Sequence, residues 1–149
     1  MKRSDSSKDS RPDAPTLFID RSAWSNALGT ALRDADIAFE EHRKHFASQD
    51  TEPELDDSKW LAAVADHGWV VVTRDKNIRY RVNELSAMRA AKLHVFVFTS
   101  GALTASETGR LLVQAYPEIV AATNGVEPPA FFSITSKGSV NRLKIGSNE

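Results

Sequence analysis

The chain has 149 residues, of which 41% are hydrophobic and 26% charged, and its formal net charge is -1. This composition is that of an ordinary globular domain, and the charge gives no overall field that would attract a polyanion. The absence of cysteine excludes disulfides, thiolate metal sites and cysteine nucleophiles. No apolar run approaches the roughly 18 residues of a membrane span, and the N-terminal region has no secretory signal. We therefore expect a cytoplasmic protein with no membrane partner.

The N-terminal residues 1–15 are rich in serine, aspartate, lysine, arginine and proline. Such a segment buries too little apolar surface to offset the entropy lost on ordering. The sequence therefore predicts a disordered tail over residues 1–15 and a single folded domain over residues 16–146.

Four short apolar runs predict β-strands, and helical patterns separate them. The strands are expected at residues 16–20, 35–39, 69–73 and 94–99, with the weak second one at an edge of the sheet. The first helix follows Ser22, which could cap it, the second begins at Asp57 and stops before Gly68, and the third covers residues 80–92. This alternation predicts a parallel α/β sheet with right-handed crossovers.

The C-terminal third has a different pattern. Residues 104–107 form a capping box that opens a helix, Pro117 is expected to break or kink that helix, and a second helical piece runs to Gly125. Two β-like runs, residues 131–135 and 139–145, flank a turn at residues 136–138. We expect a β-hairpin added to the parallel sheet, with an edge through which two copies could pair.

Three carboxylates are candidates for one site. Asp20 and Asp75 follow the first and third strands, and Asp57 begins the helix that precedes the third strand. In a parallel α/β sheet all three positions lie at the carboxyl edge, where ligands bind. Carboxylates gathered there repel one another, and Mg²⁺ or Mn²⁺ relieves the repulsion while activating a water. Asn77 offers a further oxygen ligand. Taken alone, Asp57 reads as a helix N-cap.

The residues around Asp75 are strongly basic. Arg74, Lys76, Arg79 and Arg81 lie within eight residues, and Asp75 is the only acid among them. Positive charge beside an acidic metal site suits a polyanion whose phosphate approaches the metal. By contrast, most of the acids of the predicted loop at residues 40–57 read as a solvated surface, and His42 and His45 as ordinary loop histidines.

Three segments give the chain a resemblance to the PIN-like nucleases, in particular the compact VapC-type toxins. They are Leu17–Asp20, Asp57–Trp60 and Val71–Ile78, followed by Val95–Gly101 and a helix. The resemblance implies a three-layer fold with a mainly parallel sheet between helices. It implies a metal-dependent endoribonuclease that cuts single-stranded RNA, often as the toxin partner of a cognate antitoxin protein.

The same resemblance implies roles for individual residues. Asp20, Asp57 and Asp75 match the metal-binding acids of the family. Asn77 stands where relatives often have another Asp, and Arg21 stands where many have a second acid. Both departures lower the negative charge of the site, and Arg21 joins the residues expected to contact RNA.

Other classes of protein fit the sequence less well. A haloacid dehalogenase phosphatase needs a second Asp two residues after the first, where this chain has Ser22. A response-regulator receiver domain needs paired acids after the first strand and a lysine after the last parallel strand, where this chain has Ser100 and Gly101. The serious alternative is an inactive PIN-like module that binds RNA or a protein partner.

Overall fold

The computed structural model describes residues 14–41, 64–75, 92–101 and 103–143. In these ranges the elements are β1 (Leu17–Ile19), α1 (Asn26–Asp34), β2 (Phe39–Glu41), β3 (Val70–Thr73), β4 (His94–Phe98), α2 (Ala105–Gly125), β5 (Ala130–Ile134) and β6 (Val140–Leu143). Residues 64–67 are also helical. The strands form one sheet in the order β2-β1-β3-β4-β5-β6. Only the pairing of β5 with β6 is antiparallel among these strands, so the predicted mainly parallel α/β fold with a C-terminal hairpin is confirmed.

The central strands are buried on both faces, as expected for strands that read as nearly continuous apolar runs. Every residue of β1, β3, β4 and β5 is buried. Side chains alternate between two apolar layers. Leu17 and Ile19 belong to the layer that contains α1 and α2, whereas Phe18 and Val71 belong to the opposite layer with Val64. The described sheet therefore has a substantial apolar core on each side.

Helix α1 begins later than the sequence predicted. Its N-cap is Ser25, whose hydroxyl accepts a hydrogen bond from the amide of Leu28 at 3.0 Å. The amides of Ala23 and Trp24 instead donate to the carbonyl of Asp20. This turn delays the helix, so the expectation that Ser22 caps it was wrong.

Strand β2 lies at the edge of the sheet, as predicted, but the predicted range, residues 35–39, was wrong. It covers Phe39–Glu41, in parallel register with β1. The predicted first residue, Ala35, is instead the C-cap of α1, and Asp36 adopts a left-handed conformation with φ of 61°. Because this turn uses two residues, the strand starts later and extends into what was predicted to be an acidic loop.

Helix α2 is continuous over 21 residues and includes Pro117, so the predicted break was wrong. Pro117 lies on the exposed side of the helix, where water can satisfy the carbonyl that lacks a backbone donor. Buried residues on both sides of it, including Tyr116 and Ile119, hold the two halves against the sheet. The predicted capping box is confirmed: the amide of Thr104 donates to Glu107, and the amide of Glu107 donates to the Thr104 hydroxyl.

The predicted hairpin is confirmed, but it is part of the main sheet. Its first strand, β5, pairs in parallel with all five residues of β4 and is therefore the fifth parallel strand. Two side chains of α2 hold the hairpin. Gln114 donates to the carbonyl of Lys137 at 2.9 Å, and Glu118 accepts from the amide of Val140 at 3.1 Å.

Other predictions concern the helix expected before β3 and the start of the fold. That helix ends as predicted, since residues 64–67 are helical and Gly68 follows with φ of 73°. Its start at Asp57 and the helix expected at residues 80–92, apart from Lys92, lie outside the described residues.

Pro15 is buried, and its carbonyl accepts a hydrogen bond from the Tyr116 hydroxyl at 3.0 Å. This residue therefore belongs to the folded part, while residues 1–13 of the predicted tail lie outside the description.

Candidate metal and RNA site at the carboxyl edge

The strand order brings Asp20 and Asp75 to the same point of the sheet. β1 lies between β2 and β3. The next strand along the chain, β2, therefore pairs with one side of β1, and the following strand, β3, pairs with the other side. Such a topological switch point is where open α/β sheets bind their ligands. The amide of Asp20 donates to the carbonyl of Val72 at 2.9 Å, which extends the pairing of β1 and β3 by one residue. Asp20 follows directly after β1, Asp75 is the second residue after β3, and both are half-buried.

A group of hydroxyls orients the carboxylate of Asp20. Ser22 Oγ donates to Asp20 Oδ2 at 2.7 Å, and Thr73 Oγ1 donates to the same oxygen at 2.9 Å. Thr73 is fully buried, so its hydroxyl has few alternative partners. Two donors on one oxygen fix the rotation of the carboxylate.

The same two hydroxyls also fix the start of the loop that follows β3. Ser22 Oγ accepts from the amide of Arg74 at 2.9 Å, and Thr73 Oγ1 accepts from the amide of Asp75 at 3.1 Å. The two hydroxyl oxygens lie 3.0 Å apart. Each hydroxyl has one proton, and both protons are donated to Asp20. The hydrogen bonds therefore run in one direction: the backbone amides donate to the hydroxyls, and the hydroxyls donate to the carboxylate. This network couples the positions of Asp20 and Asp75.

The second carboxylate oxygen of Asp20, Oδ1, differs from Oδ2 in its hydrogen bonding. Within the described part of the chain, the hydrogen bonds to the Asp20 carboxylate all go to Oδ2. Oδ1 is therefore the oxygen that can bind a cation without breaking the network. A carboxylate oxygen held in one orientation by hydroxyl donors is a suitable ligand for a hard cation such as Mg²⁺ or Mn²⁺.

Strand β2 ends in Glu41, an acid of the stretch for which the sequence predicts a solvated loop. Glu41 is in parallel register with Ile19, the residue before Asp20. It is half-buried and lies at the carboxyl end of an edge strand adjacent to β1. The sequence contained one signal that the strand reaches Glu41. Phe39, two residues before Glu41, is apolar and packs on the core.

The structure describes only some of the predicted site residues. Arg21 is exposed beside Asp20, and Arg74 is half-buried beside Asp75. The others, Asp57, Lys76, Asn77, Arg79 and Arg81, lie outside the described residues. In the described ranges no three histidine, aspartate or glutamate side chains come together as a metal-binding group, so the predicted cluster of Asp20, Asp57 and Asp75 stays a prediction. Ser22 and Thr73 were not predicted as site residues; Ser22 had been interpreted as a helix cap.

An α/β sheet with an oriented carboxylate at its switch point places this chain among the open α/β sheet proteins, in which ligands bind at that edge. Within this class, a family model described as PIN like domain matches residues 15–100. This is more than half of the chain and contains β1 to β4. The chain belongs to the PIN-like domain family, and the resemblance found in its sequence is confirmed.

The comparison with curated proteins gives a relative from Mycobacterium tuberculosis (strain ATCC 25618 / H37Rv), named "Putative ribonuclease VapC45". The two are 33% identical over 67 residues, which is 45% of this chain and 48% of the relative. The alignment thus spans about half the length of each protein. No solved structure matches. Among the described helices, none is long and apolar enough to cross a membrane.

Proposed function

We propose that this protein is a metal-dependent endoribonuclease that cleaves RNA phosphodiester bonds with a metal-activated water. The observation that carries the proposal is the hydrogen-bond network joining Asp20 to the start of the loop after β3, at the switch point of the sheet. Membership of the PIN-like domain family and the similarity to a protein named as a ribonuclease support it. The proposal extends to the toxin role in a type II toxin–antitoxin pair, with a cognate antitoxin as partner.

In this proposal Asp20, Asp57 and Asp75 hold Mg²⁺ or Mn²⁺, with Asn77 assisting. A metal held by these residues would supply activation of a water and stabilisation of negative charge on the phosphate. Ser22 and Thr73 keep the Asp20 carboxylate in one orientation. Glu41, at the end of the neighbouring strand, supplies negative charge on the other side of Asp20.

The proposed substrate contacts come from the cations near Asp20 and Asp75. Arg21 is an exposed residue that follows Asp20 in the chain, and Arg74 follows β3 directly. Together with Lys76, Arg79 and Arg81 they would bind phosphates of the RNA backbone. Backbone contacts position a strand without reading its sequence.

Asp75→Asn tests the proposal. Asparagine keeps the size of the side chain and the backbone amide that donates to Thr73, but it removes the negative charge. We expect the variant to retain its thermal unfolding temperature and lose cleavage of labelled single-stranded RNA in Mg²⁺ or Mn²⁺. Asp66→Asn, which changes an exposed aspartate, is the matched control and should cleave like the unchanged protein.

Three results would contradict parts of the proposal. Full activity of Asp75→Asn with metal present would remove Asp75 from the site. Undiminished cleavage in excess chelator would exclude metal dependence. Binding of RNA without cleavage by the unchanged protein, in either metal, would favour the inactive PIN-like module. Growth arrest on expression, relieved by a neighbouring small gene, is the result expected for a toxin.

A further inference from the structure

The carboxyl edge of the sheet continues past the candidate site to the turn of the C-terminal hairpin. β4 lies beside β3, and β5 pairs in parallel with β4 over all five of its residues. The turn between β5 and β6, residues 135–139, therefore lies at the same edge as Asp20 and Asp75. Two strand spacings, roughly 10 Å, separate the end of β3 from the end of β5. A strand of RNA bound at the candidate site could thus reach the turn with a neighbouring part of its backbone.

Hydrogen bonds hold the hairpin turn in one conformation. Thr135 Oγ1 accepts from the amide of Lys137 at 3.3 Å and from the amide of Ser139 at 3.2 Å. The carbonyl of Thr135 accepts from the amide of Gly138 at 2.9 Å. Gln114 of α2 donates to the carbonyl of Lys137 at 2.9 Å. The backbone of Lys137 is therefore fixed through both its amide and its carbonyl.

The ammonium group of Lys137 is available to a ligand. The residue is exposed, and among the described residues no hydrogen bond, ion pair or ring contact involves its side chain. Glu107, in the first turn of α2, accepts from the amide of Thr104 instead. Glu118, which contacts the hairpin, accepts from the amide of Val140. A fixed backbone that carries an unpaired cation suits a negatively charged ligand.

The described cations of this edge form a row. Arg21 lies in the segment after β1, Arg74 in the segment after β3, and Lys137 in the segment after β5. The described end of β4 between them, residues 99–101, is uncharged. Repeated positive charge along an edge matches a polymer with one negative charge on each unit better than it matches a single acidic group.

We propose that Lys137 binds a backbone phosphate of the RNA to one side of the scissile phosphate. The RNA strand then crosses the carboxyl edge from the candidate metal site, over the end of β4, to the hairpin turn. This inference rests on the proposed function, because RNA is the polyanion that the proposed function brings to the edge. Contacts to phosphates position a strand without reading its bases, so Lys137 contributes to the binding of RNA of any sequence.

The salt dependence of RNA binding provides the first test. A labelled single-stranded RNA is titrated with the full chain carrying Asp75→Asn, without divalent metal, and fluorescence anisotropy gives Kd over a range of potassium chloride concentrations. Each phosphate contact that is lost lowers the slope of log affinity against log salt by about 0.7. We expect Lys137→Gln to lower the slope by this amount, and to weaken binding at low salt by about two- to fivefold.

Lys92→Gln is the matched control. Lys92 is an exposed lysine that precedes β4 at the amino edge of the sheet, so its replacement should change neither the affinity nor the slope. Equal losses in the two variants, or no loss in Lys137→Gln, would overturn the proposed contact. Binding without cleavage by the unchanged protein would contradict the proposed nuclease activity, whereas the contact of Lys137 would still be measured. Thermal unfolding should be unchanged in Lys137→Gln, because the contacts that fix the turn use the backbone of this residue.

The absence of cysteine permits a second measurement. Lys137→Cys and Lys92→Cys are each labelled with a photoreactive maleimide, bound to the same RNA and irradiated, and the cross-linked nucleotide is identified by mass spectrometry. We expect a far higher yield from position 137 than from position 92. The cross-linked nucleotides should all lie on one side of the bond that the unchanged protein cleaves. Equal yields from the two positions, or cross-links on both sides of that bond, would contradict the proposed path of the strand.

Discussion

Thr73 donates its hydroxyl proton to Asp20 across 2.9 Å, although the two residues are 53 positions apart in the chain. Thr73 is the last residue of β3 and Asp20 follows β1, so this bond joins two strand ends at the switch point of the sheet. The Thr73 hydroxyl also accepts the amide of Asp75. One buried oxygen therefore positions the carboxylate of Asp20 and the backbone of Asp75.

Replacing Thr73 by valine should reduce RNA cleavage more than it disturbs the fold. Valine has the same shape but leaves the Asp75 amide and Asp20 without their shared partner. We expect a loss of about 1–3 kcal/mol in unfolding free energy and about 10–100-fold in cleavage rate. Chemical denaturation and a cleavage assay measure the two effects, and Thr73→Ser, which keeps the hydroxyl, should restore most of both.

Thr108→Val is the matched control for this variant. Thr108 is also buried, and its hydroxyl donates to the carbonyl of Thr104 within α2. Its replacement should reduce stability without changing cleavage per folded molecule. If Thr73→Val and Thr108→Val reduce cleavage equally, Thr73 acts only through stability.

Gly138→Ala should destabilise the protein more than Gly68→Ala. Both glycines have positive φ, of 79° and 73°, which costs an alanine roughly 1 kcal/mol. At Gly138 the new β-carbon would also lie 2.7 Å from Nε2 of Gln114, whereas at Gly68 it meets nothing within 4 Å. Thermal unfolding of the two variants measures the difference. Adding Gln114→Ala to Gly138→Ala should recover part of the additional loss of stability at Gly138. Equal losses in Gly138→Ala and Gly68→Ala would contradict the predicted clash with Gln114.

The capping box of α2 predicts a dependence of stability on pH. The backbone amide of Thr104, and then its hydroxyl, lower the pKa of Glu107 below its usual 4.5 by bonding to the charged carboxylate. A lowered folded pKa stabilises the folded state above the usual pKa, and this contribution is lost as pH falls below 4.5 through the lower folded value. Denaturation of the unchanged protein and Glu107→Gln should give stabilities that converge as pH falls. The exposed replacement Glu127→Gln should show no such convergence.

The edge strand β6 is partly protected by α2. Thr135 and Ser139 are hydrogen-bonded across the hairpin, so by alternation the amide of Val140 points away from β5. Glu118 accepts this amide. Glu118→Ala should therefore accelerate hydrogen exchange at Val140, while Glu118→Gln, which keeps an acceptor oxygen, should change it less. Unchanged exchange in Glu118→Ala would show that water replaces the carboxylate at no cost.

Much of the fold could be predicted because the strands that carry it are apolar on both faces. The runs at β1, β3 and β4 consist of bulky residues with polar ones at their ends, a pattern typical of strands buried on both faces of a parallel sheet. Strand β2 was misplaced because an edge strand can contain Glu40 and Glu41, which local composition assigns to a loop. Ser22 and Ser25 are equally good caps by sequence. The choice between them depends on where the Asp20 carbonyl finds its donors, which is a tertiary effect.

The candidate site was predictable in part for the same reason. A carboxylate after a buried parallel strand lies at the carboxyl edge whatever the loops do, so Asp20 and Asp75 could be paired from sequence. The hydroxyls that orient Asp20 could not be predicted, because serine and threonine are common at strand ends and only the strand order places Thr73 beside β1. The strand order itself depends on packing that no local pattern specifies.

The hydrogen bond from Tyr116 to Pro15 has a practical consequence for attaching the molecule to a surface. It fixes the chain just before β1, at the amino edge of the sheet. β6 runs antiparallel to β5 and brings Leu143 opposite Phe131, near the same edge. A linker joined at either position 14 or position 143 would therefore hold the protein by the side remote from Asp20. Immobilised molecules would present their acidic edge to the solution, which suits RNA-binding measurements on a sensor chip.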